Sequence, residues 1–386
     1  MPVVRNTGSK VRFPMASSAS GSLKSFCPTP TPAARVYLRP VGLLPASVWA
    51  AGGAVPLAGG RFSFTTTELI VRDGGLIRRA VAPLPEVLAW GWERGREVAQ
   101  RLDQLLGHLT RARPPFAGLG LERPAIMGIV NITPDSFSDG GEFLAPDQAV
   151  AHGRALMAEG ADILDIGGES TRPGAEPVPA DVEIVRVVPV IERLVSDGAV
   201  VSIDTRHAVV MKAAVAAGAA IVNDVSALTG DPDSLGVAAA GGAAVVLMHM
   251  LGEPGTMQDA PAYQDAALDV YDYLEVRVEA CLAAGIPRER LAVDPGIGFG
   301  KTRDHNVEIL RQLALYHGLG VPVLLGVSRK SVIGALSRGE PPRERLAGSL
   351  AAGVEGLGQG VQMVRVHDVA ETFQARAVWN ALHPPA

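Results

Sequence analysis

The chain has 386 residues, of which 47% are hydrophobic and 19% charged, with a formal net charge of -5. That length allows two or three domains with a core of normal size, and the charge excludes a globally basic nucleic-acid binder. Its two cysteines, Cys27 and Cys281, make no metal or redox spacing and no disulfide framework, so a reducing, cytoplasmic setting fits.

Residues 1–34 are rich in Ser, Thr and Pro with few large apolar side chains. Such a stretch cannot bury enough surface to fold alone. No Asp or Glu precedes Glu68, whereas Arg5, Lys10, Arg12, Lys24, Arg35, Arg39 and Arg61 do. The first reading is a disordered tail, or an early start codon with Met15 as a later start. An organellar transit peptide is also basic and acid-poor, and a binding arm is the third reading. Val41 to Gly60 is uncharged but holds Pro45, Pro56 and five glycines. Membrane spans are richer in large apolar residues, so none is read here.

Residues 35–122 read as a small accessory α+β segment. Ala34 to Leu38 suits a short strand. Arg61–Ile70 and Leu76–Val81 flank Asp73-Gly74-Gly75, a hairpin signal. Pro85 to Arg111 reads as one helix, with Val98, Leu102, Leu105, Leu106 and Leu109 on its apolar stripe. Glu93, Arg94, Arg96, Glu97 and Arg101 are expected to face water. Pro114 and Pro115 end it. His108, beside the stripe, reads as a surface or packed histidine.

From residue 123 to 386, short β-branched runs alternate with helical patterns. The strands read are Ala125–Val130, Ile163–Ile166, Val200–Ile203, Ala220–Val222, Ala243–Met248, Leu291–Val293, Pro322–Val327 and Gln362–Val366. Helices start near Pro146, Asp181, His207, Asp231, Tyr263, Asp304, Ser331 and Asp368, and Arg343 to Leu357 adds another. Eight strand–helix units predict an α/β fold, a (β/α)8 TIM barrel preceded by the small N-terminal extension. An open doubly wound sheet needs fewer strands and a glycine fingerprint that is missing.

Every expected strand runs into polar or ionisable residues. Asn131 follows the first and opens a Pro-, Gly-, Asp- and Ser-rich loop to Gly141 that strands Phe137. Asp165 lies in the second, and Glu169, Ser170, Thr171 and Arg172 follow it. Asp204, Asn223 with Asp224, Met248 with His249, and Asp294 end the next four. Ser328, Arg329 and Lys330 follow the seventh, and Arg365 and His367 end the eighth. In a barrel these ends share the C-terminal rim, where active sites lie. Gly300-Lys301-Thr302 is not a phosphate-binding P-loop, because the required earlier glycine falls at Pro295. No His, Cys and Asp cluster has zinc spacing.

These stretches resemble dihydropteroate synthase. The resemblance rests on Asn131–Gly141, Gly167 to Gly174, Ser202-Ile203-Asp204-Thr205, Asn223-Asp224-Val225, Asp294 to Lys301 and Ser328-Arg329-Lys330-Ser331. It runs from about Ala125 to the C-terminus and leaves the first third unexplained. It implies condensation of 6-hydroxymethyl-7,8-dihydropterin diphosphate with p-aminobenzoate, releasing pyrophosphate, in folate synthesis. On that resemblance Asp204, Asn223, Met248, Asp294 and Lys330 hold the pterin. Asp294, an acceptor-only fork, takes two of its N–H groups. Asn131, Thr171, Arg172, Arg365 and His367 address the pyrophosphate, with a Mg2+ at Asn131. Phe137, Thr171, Pro173 and Phe299 wall the p-aminobenzoate ring, and Ser331 takes its carboxylate at a helix start. Asn131, Arg172, Lys330, Arg365 and His367 form the catalytic set. The resemblance further implies small-molecule substrates, sulfonamide sensitivity and a homodimer through the last helices, with no nucleic-acid or membrane partner. Two rivals stand beside it. One is a methyl-tetrahydrofolate corrinoid methyltransferase on a similar barrel, which has no use for the Ser-Thr-Arg-Pro loop. The other is a noncatalytic pterin-binding paralogue, for which loss of Asn131, Arg172 or Lys330 would speak.

Overall fold

The computed structural model of the protein describes residues 23, 25–27, 29–50, 52, 54–132, 145–169, 178–253 and 255–385. The second part alternates eight strands with helices: β7 (Ala125–Asn131), α4 (Ala145–Glu159), β8 (Ile163–Gly167), α5 (Ala180–Ser196), β9 (Val201–Asp204), α6 (Ala208–Ala216), β10 (Ile221–Asp224), α7 (Ser234–Gly241), β11 (Ala244–Met248), α8 (Ala266–Ala283), β12 (Leu291–Asp294), α9 (Arg303–Leu310), β13 (Leu324–Leu325), α10 (Ser331–Leu336), α11 (Leu346–Gly358), β14 (Met363–Val366) and α12 (Val369–Leu382). All eight strands are parallel, in the order β12-β11-β10-β9-β8-β7-β14-β13. A parallel bridge from Val293 to Val323 joins the two ends and closes the barrel. The expected seventh strand, Pro322–Val327, is ladder-paired over β13, with Val323 adding the single bridge to Val293.

Side chains alternate across a strand, so every second residue faces the lumen. The lumen is filled by Ala125, Met127, Ile163, Ile221, Ala244, Val246, Ala292, Leu324 and Met363, with Phe116 packed among them. Phe116 comes from the segment before β7, where it exchanges backbone hydrogen bonds with Leu119. Continuing the same parity toward the strand ends gives Asn131, Asp165, Asp204, Asn223, Met248, Asp294 and Arg365. One two-residue period thus makes both an apolar plug and a polar mouth.

Ahead of the barrel lie β1 (Arg35–Val41), β2 (Leu44–Pro45), α1 (Ala46–Ala50), β3 (Val55–Pro56), β4 (Phe62–Phe64), β5 (Thr66–Asp73), β6 (Leu76–Pro83), α2 (Leu84–Arg94) and α3 (Arg96–Thr110). They form two small sheets, β1-β5-β6 and β2-β4-β3. In the β5–β6 hairpin Asp73 pairs with Leu76 across Gly74 and Gly75, whose positive φ angles of 56° and 83° suit a two-residue turn. The strand expected over Arg61–Ile70 is divided at Thr65, and its halves join different sheets. The single helix expected over Pro85–Arg111 is two, because Gly95 adopts φ 115° between α2 and α3.

Arg101, expected to face water, points at the barrel instead. It donates to Glu275 at 2.6 Å and to the carbonyl of Val36. His108 donates its Nδ1 proton to the carbonyl of Gly318 at 2.8 Å. Arg35 and Arg72 likewise pair with Asp269, Asp272 and Glu275 of α8. The Tyr37 hydroxyl donates to Asp272 at 2.8 Å, and its ring meets Tyr271 edge-on at 5.4 Å. Extension and barrel share one apolar core. Within the stretch read as a tail, Leu23 and Cys27 are buried and Thr31 binds Asp73, so the packed body begins ahead of Arg35. Residues 1–22 lie outside the described residues. Among the described residues no helix is long and apolar enough to cross a membrane.

Candidate active site

The mouth of the barrel gathers ionisable groups that water does not reach. Asp165 is fully buried, and Asp204, Asn223 and Asp294 are nearly so. Their order follows the ladder: Asp204 pairs laterally with Asn223, and Met248 with Asp294. Arg365 enters from β14. Its Nε donates to Asp165 at 2.6 Å and its Nη2 to Asp204 at 2.7 Å. The Asn223 amide donates to the same Asp165 oxygen at 3.1 Å. Gly326 borders the cluster, since a Cβ there would touch Asp294 Oδ2 at 3.4 Å and Arg365 at ordinary contact distance. Asn131 lies across the rung, its Oδ1 3.5 Å from where a side chain on Gly167 would begin, beside Asp204.

Burial raises the Asp204 carboxyl to about 7, against the opposing pull of Arg365. Burial likewise raises Asp294, opposed by Lys330, and lowers Lys330 to about 8, opposed by Asp294. Burial disfavours the charged form of Arg365, but Asp165 and Asp204 outweigh it and its pKa goes up. Three observations mark this as a ligand site. Asp165 Oδ1, Asp204 Oδ1 and the Ser202 hydroxyl are buried with no donor or acceptor among the described residues. Such atoms in a native interior call for an explanation, and a polar ligand supplies one.

Lys330 reaches this mouth through local strain. Arg329, before it, adopts φ 59°, a left-handed conformation unusual for a side chain of its size. Neighbours over-determine it: Asp368 pairs with its guanidinium, Ser349 accepts its N–H and Arg345 donates to its carbonyl. Arg329 thus turns outward and Lys330 inward. The Lys330 ammonium donates to the carbonyl of Ile297 and lies 4.1 Å from the centre of the Phe299 ring. Ser331 opens the six-residue α10 and is exposed. His367 is tied to Ser328, whose hydroxyl accepts the His367 backbone N–H and lies 3.1 Å from Nδ1.

The structure therefore brings together Asn131, Asp204, Asn223, Met248, Asp294, Phe299, Lys330, Arg365 and His367. Phe137, Thr171, Arg172 and Pro173 lie outside the described residues. At the edge of the second of those loops, Glu169 accepts from Val178 N–H at 3.1 Å and from both Nε and Nη2 of Arg206 at 3.0 Å. Sequence reasoning left three groups out of the site: Asp165, Lys301 and His249. Asp165 had a signal, standing two residues before Gly167 on the lumen parity. His249 had one too, beside Met248 on the rim, whereas Lys301 had none, since its contact with His249 joins two different loops.

The chain was compared with known proteins. The pterin-binding enzyme family matches residues 127–367. A dihydropteroate synthase of Neisseria meningitidis serogroup B is 48% identical over 269 residues, covering 68% of this chain and 94% of that protein. Among solved structures, Xanthomonas albilineans dihydropteroate synthase with 4-aminobenzoic acid is 51% identical, with a TM-score of 0.66 over 69% of this chain and 97% of that one. Yersinia pestis dihydropteroate synthase in a sulfonamide drug complex is 44% identical, with a TM-score of 0.65 over 68% and 95%.

Proposed function

The chain belongs to the dihydropteroate synthase family of pterin-binding enzymes, and from that membership we propose how its own residues carry out the reaction. It condenses 6-hydroxymethyl-7,8-dihydropterin diphosphate with p-aminobenzoate, giving 7,8-dihydropteroate and pyrophosphate in folate biosynthesis. The observation that supports the residue roles best is the orphaned acceptor Asp204 Oδ1 in a cluster that also holds Asp294, Asn223 and Lys330.

The pterin is a flat heterocycle with a guanidine-like edge. Asp294 takes that edge with its outer oxygen, while the Gly296 N–H fixes the other at 2.7 Å. Asp204, Asn223 and Lys330 take the remaining polar atoms, and Met248, beside Asp294 on the ladder, packs on the ring face. Asp165 positions Asn223 and Arg365 together. The diphosphate then lies toward Arg365 and His367, with Arg172 and Thr171 joining from the second loop. These donors favour charge where it develops on the leaving group.

Asn131 offers one hard oxygen donor, which fits Mg2+, a cation that keeps most of its waters and draws its other oxygens from phosphate. Bound there, Mg2+ would neutralise part of the diphosphate charge. The C–O bond at the pterin methylene breaks, the electron pair leaves with pyrophosphate, and the delocalised pterin cation is captured by the aniline nitrogen, which then loses a proton. Phe299 walls the p-aminobenzoate ring with Phe137 and Pro173, and Ser331 meets its carboxylate.

We read residues 35–122 as an accessory segment and place the enzyme in the cytoplasm; both cysteines are free and buried, which suits a reducing setting. A homodimer is proposed through α11 and α12. Although α11 is almost wholly apolar, only Ser349, Gly356 and Leu357 are buried, and Phe373, Val378 and Leu382 of α12 stay exposed.

The test is pyrophosphate release by the full chain, with Mg2+ and the pterin diphosphate. Release should require p-aminobenzoate for product formation, and a sulfonamide should compete with it. Equal turnover to dihydropteroate with Arg172 replaced by Ala would remove the second loop from the mechanism.

A further inference from the structure

Lys301 closes the loop after β12 and is 3% exposed, yet its ammonium meets no carboxylate among the described residues. Burial pushes its pKa well below the usual lysine value, with Asp294 opposing. A buried cation of this kind is costly unless its donors are used. Here they are. Nζ lies 2.8 Å from the carbonyl of Gly296, 2.9 Å from that of Phe299 and 2.9 Å from His249 Nδ1, with the His249 carbonyl at 3.3 Å. The acceptors belong to two rim loops, one after β11 and one after β12.

What those atoms carry gives the contact its meaning. Gly296 donates its N–H to Asp294 Oδ1 at 2.7 Å. It adopts φ 67°, and a side chain on it would collide with the His249 carbonyl, so the two loops are pressed together at this point. Phe299 presents its ring to the Lys330 ammonium. The rest of the loop is held from outside: Tyr263 donates to the Gly300 carbonyl at 2.8 Å, Gln258 to that of Gly298 at 2.7 Å, and Asn306 accepts the Gly298 N–H at 2.7 Å. Lys301 reaches both the residue orienting Asp294 and the backbone of Phe299, whose own N–H also donates to the Gly296 carbonyl at 3.2 Å.

We propose that Lys301 is a positioning residue that couples the two substrate seats: through Gly296 it sets the Asp294 carboxylate for the pterin, and through Phe299 it sets the wall for p-aminobenzoate. This rests on the roles given above to Asp294 and Phe299. Lys301 touches neither substrate and acts through the loop. It explains why a lysine is used where an apolar side chain of the same length would fill the space more cheaply.

The experiment is steady-state kinetics of Lys301→Met in the full chain, with each substrate varied in turn. Loss of these hydrogen bonds should raise the KM for both the pterin diphosphate and p-aminobenzoate by about tenfold or more, with kcat within about threefold. A fall in kcat at unchanged KM is the signature of a smaller folded fraction and would overturn the proposal, as would a rise confined to one substrate. Asp294→Asn serves as the control. If it leaves the pterin KM unchanged, the seat assignment itself fails. If it raises that KM while Lys301→Met changes neither, only the coupling fails. Should Lys301→Met not fold, Tyr263→Phe removes one bond to the same loop; it should raise both KM values by about threefold, and unchanged values overturn the coupling.

Discussion

Where the extension meets α8, every oxygen of Asp269, Asp272 and Glu275 has a donor. At the barrel mouth, Asp165 and Asp204 each keep one oxygen with none among the described residues. Both regions hold arginines and carboxylates out of bulk water, but only the first is saturated. A saturated set has nothing left to offer a ligand and serves to dock one segment on another. An unsaturated set carries a standing cost that a bound polar molecule relieves, which is the physical meaning of a prepared site. Burial raises a carboxyl in both regions, Asp272 on α8 and Asp204 at the mouth, and at the mouth it also lowers Lys330.

The strongest way to break this comparison is Arg365→Met. It leaves Asp165 and Asp204 uncompensated in the barrel, so unfolding in urea should show a loss of about 3–5 kcal/mol, and product formation should disappear. A variant as stable and active as its parent would show that the mouth is not a charge-balanced cluster. Next, Asp294→Asn should lower kcat/KM by about 10²–10³-fold through weakened hydrogen bonds to the pterin. Its stability should hold or rise, because burial already disfavours the carboxylate. A matching loss of stability would place Asp294 with the docking charges.

A smaller effect is expected from pH. Asp204 accepts on both oxygens only when ionised, and its carboxyl sits at about 7, so kcat/KM should fall about tenfold per unit below that. Lys330 donates charge-assisted bonds only when protonated, and it sits at about 8, so kcat/KM should fall again above that. The profile is thus a narrow bell, and a flat profile from pH 6 to 9 would exclude both groups. Smallest is Tyr37→Phe in the extension, which removes the hydroxyl from Asp272. It should cost about 1 kcal/mol in unfolding, with the KM of both substrates unchanged. A shift in either KM would mean that the extension reaches the active site after all.

The strand ends were legible because each interrupts an apolar run with a polar residue: Asn131, Asp204, Asn223, Asp294 and Arg365 stand out on that ground alone. The lumen parity was written there too, since period two is a property of the extended chain and not of its neighbours. Position along a strand therefore made the barrel and its polar rim legible.

Contact across the barrel was not legible in the same way. Arg365 meets Asp165 across 200 positions of sequence, and Lys301 meets His249 across 52. Neither pairing leaves a local pattern, because the partners come together only when the barrel closes. The inward turn of Arg101 has the same origin: an amphipathic period describes one helix face, while α8 decides which side chains on α3 find a partner. Sequence thus determined the eight-unit barrel, the chemistry at its mouth and the family the chain resembles. Tertiary structure decided which of those charges are saturated and which are left open, because hydrogen-bond satisfaction depends on atoms that only the closed fold brings within reach.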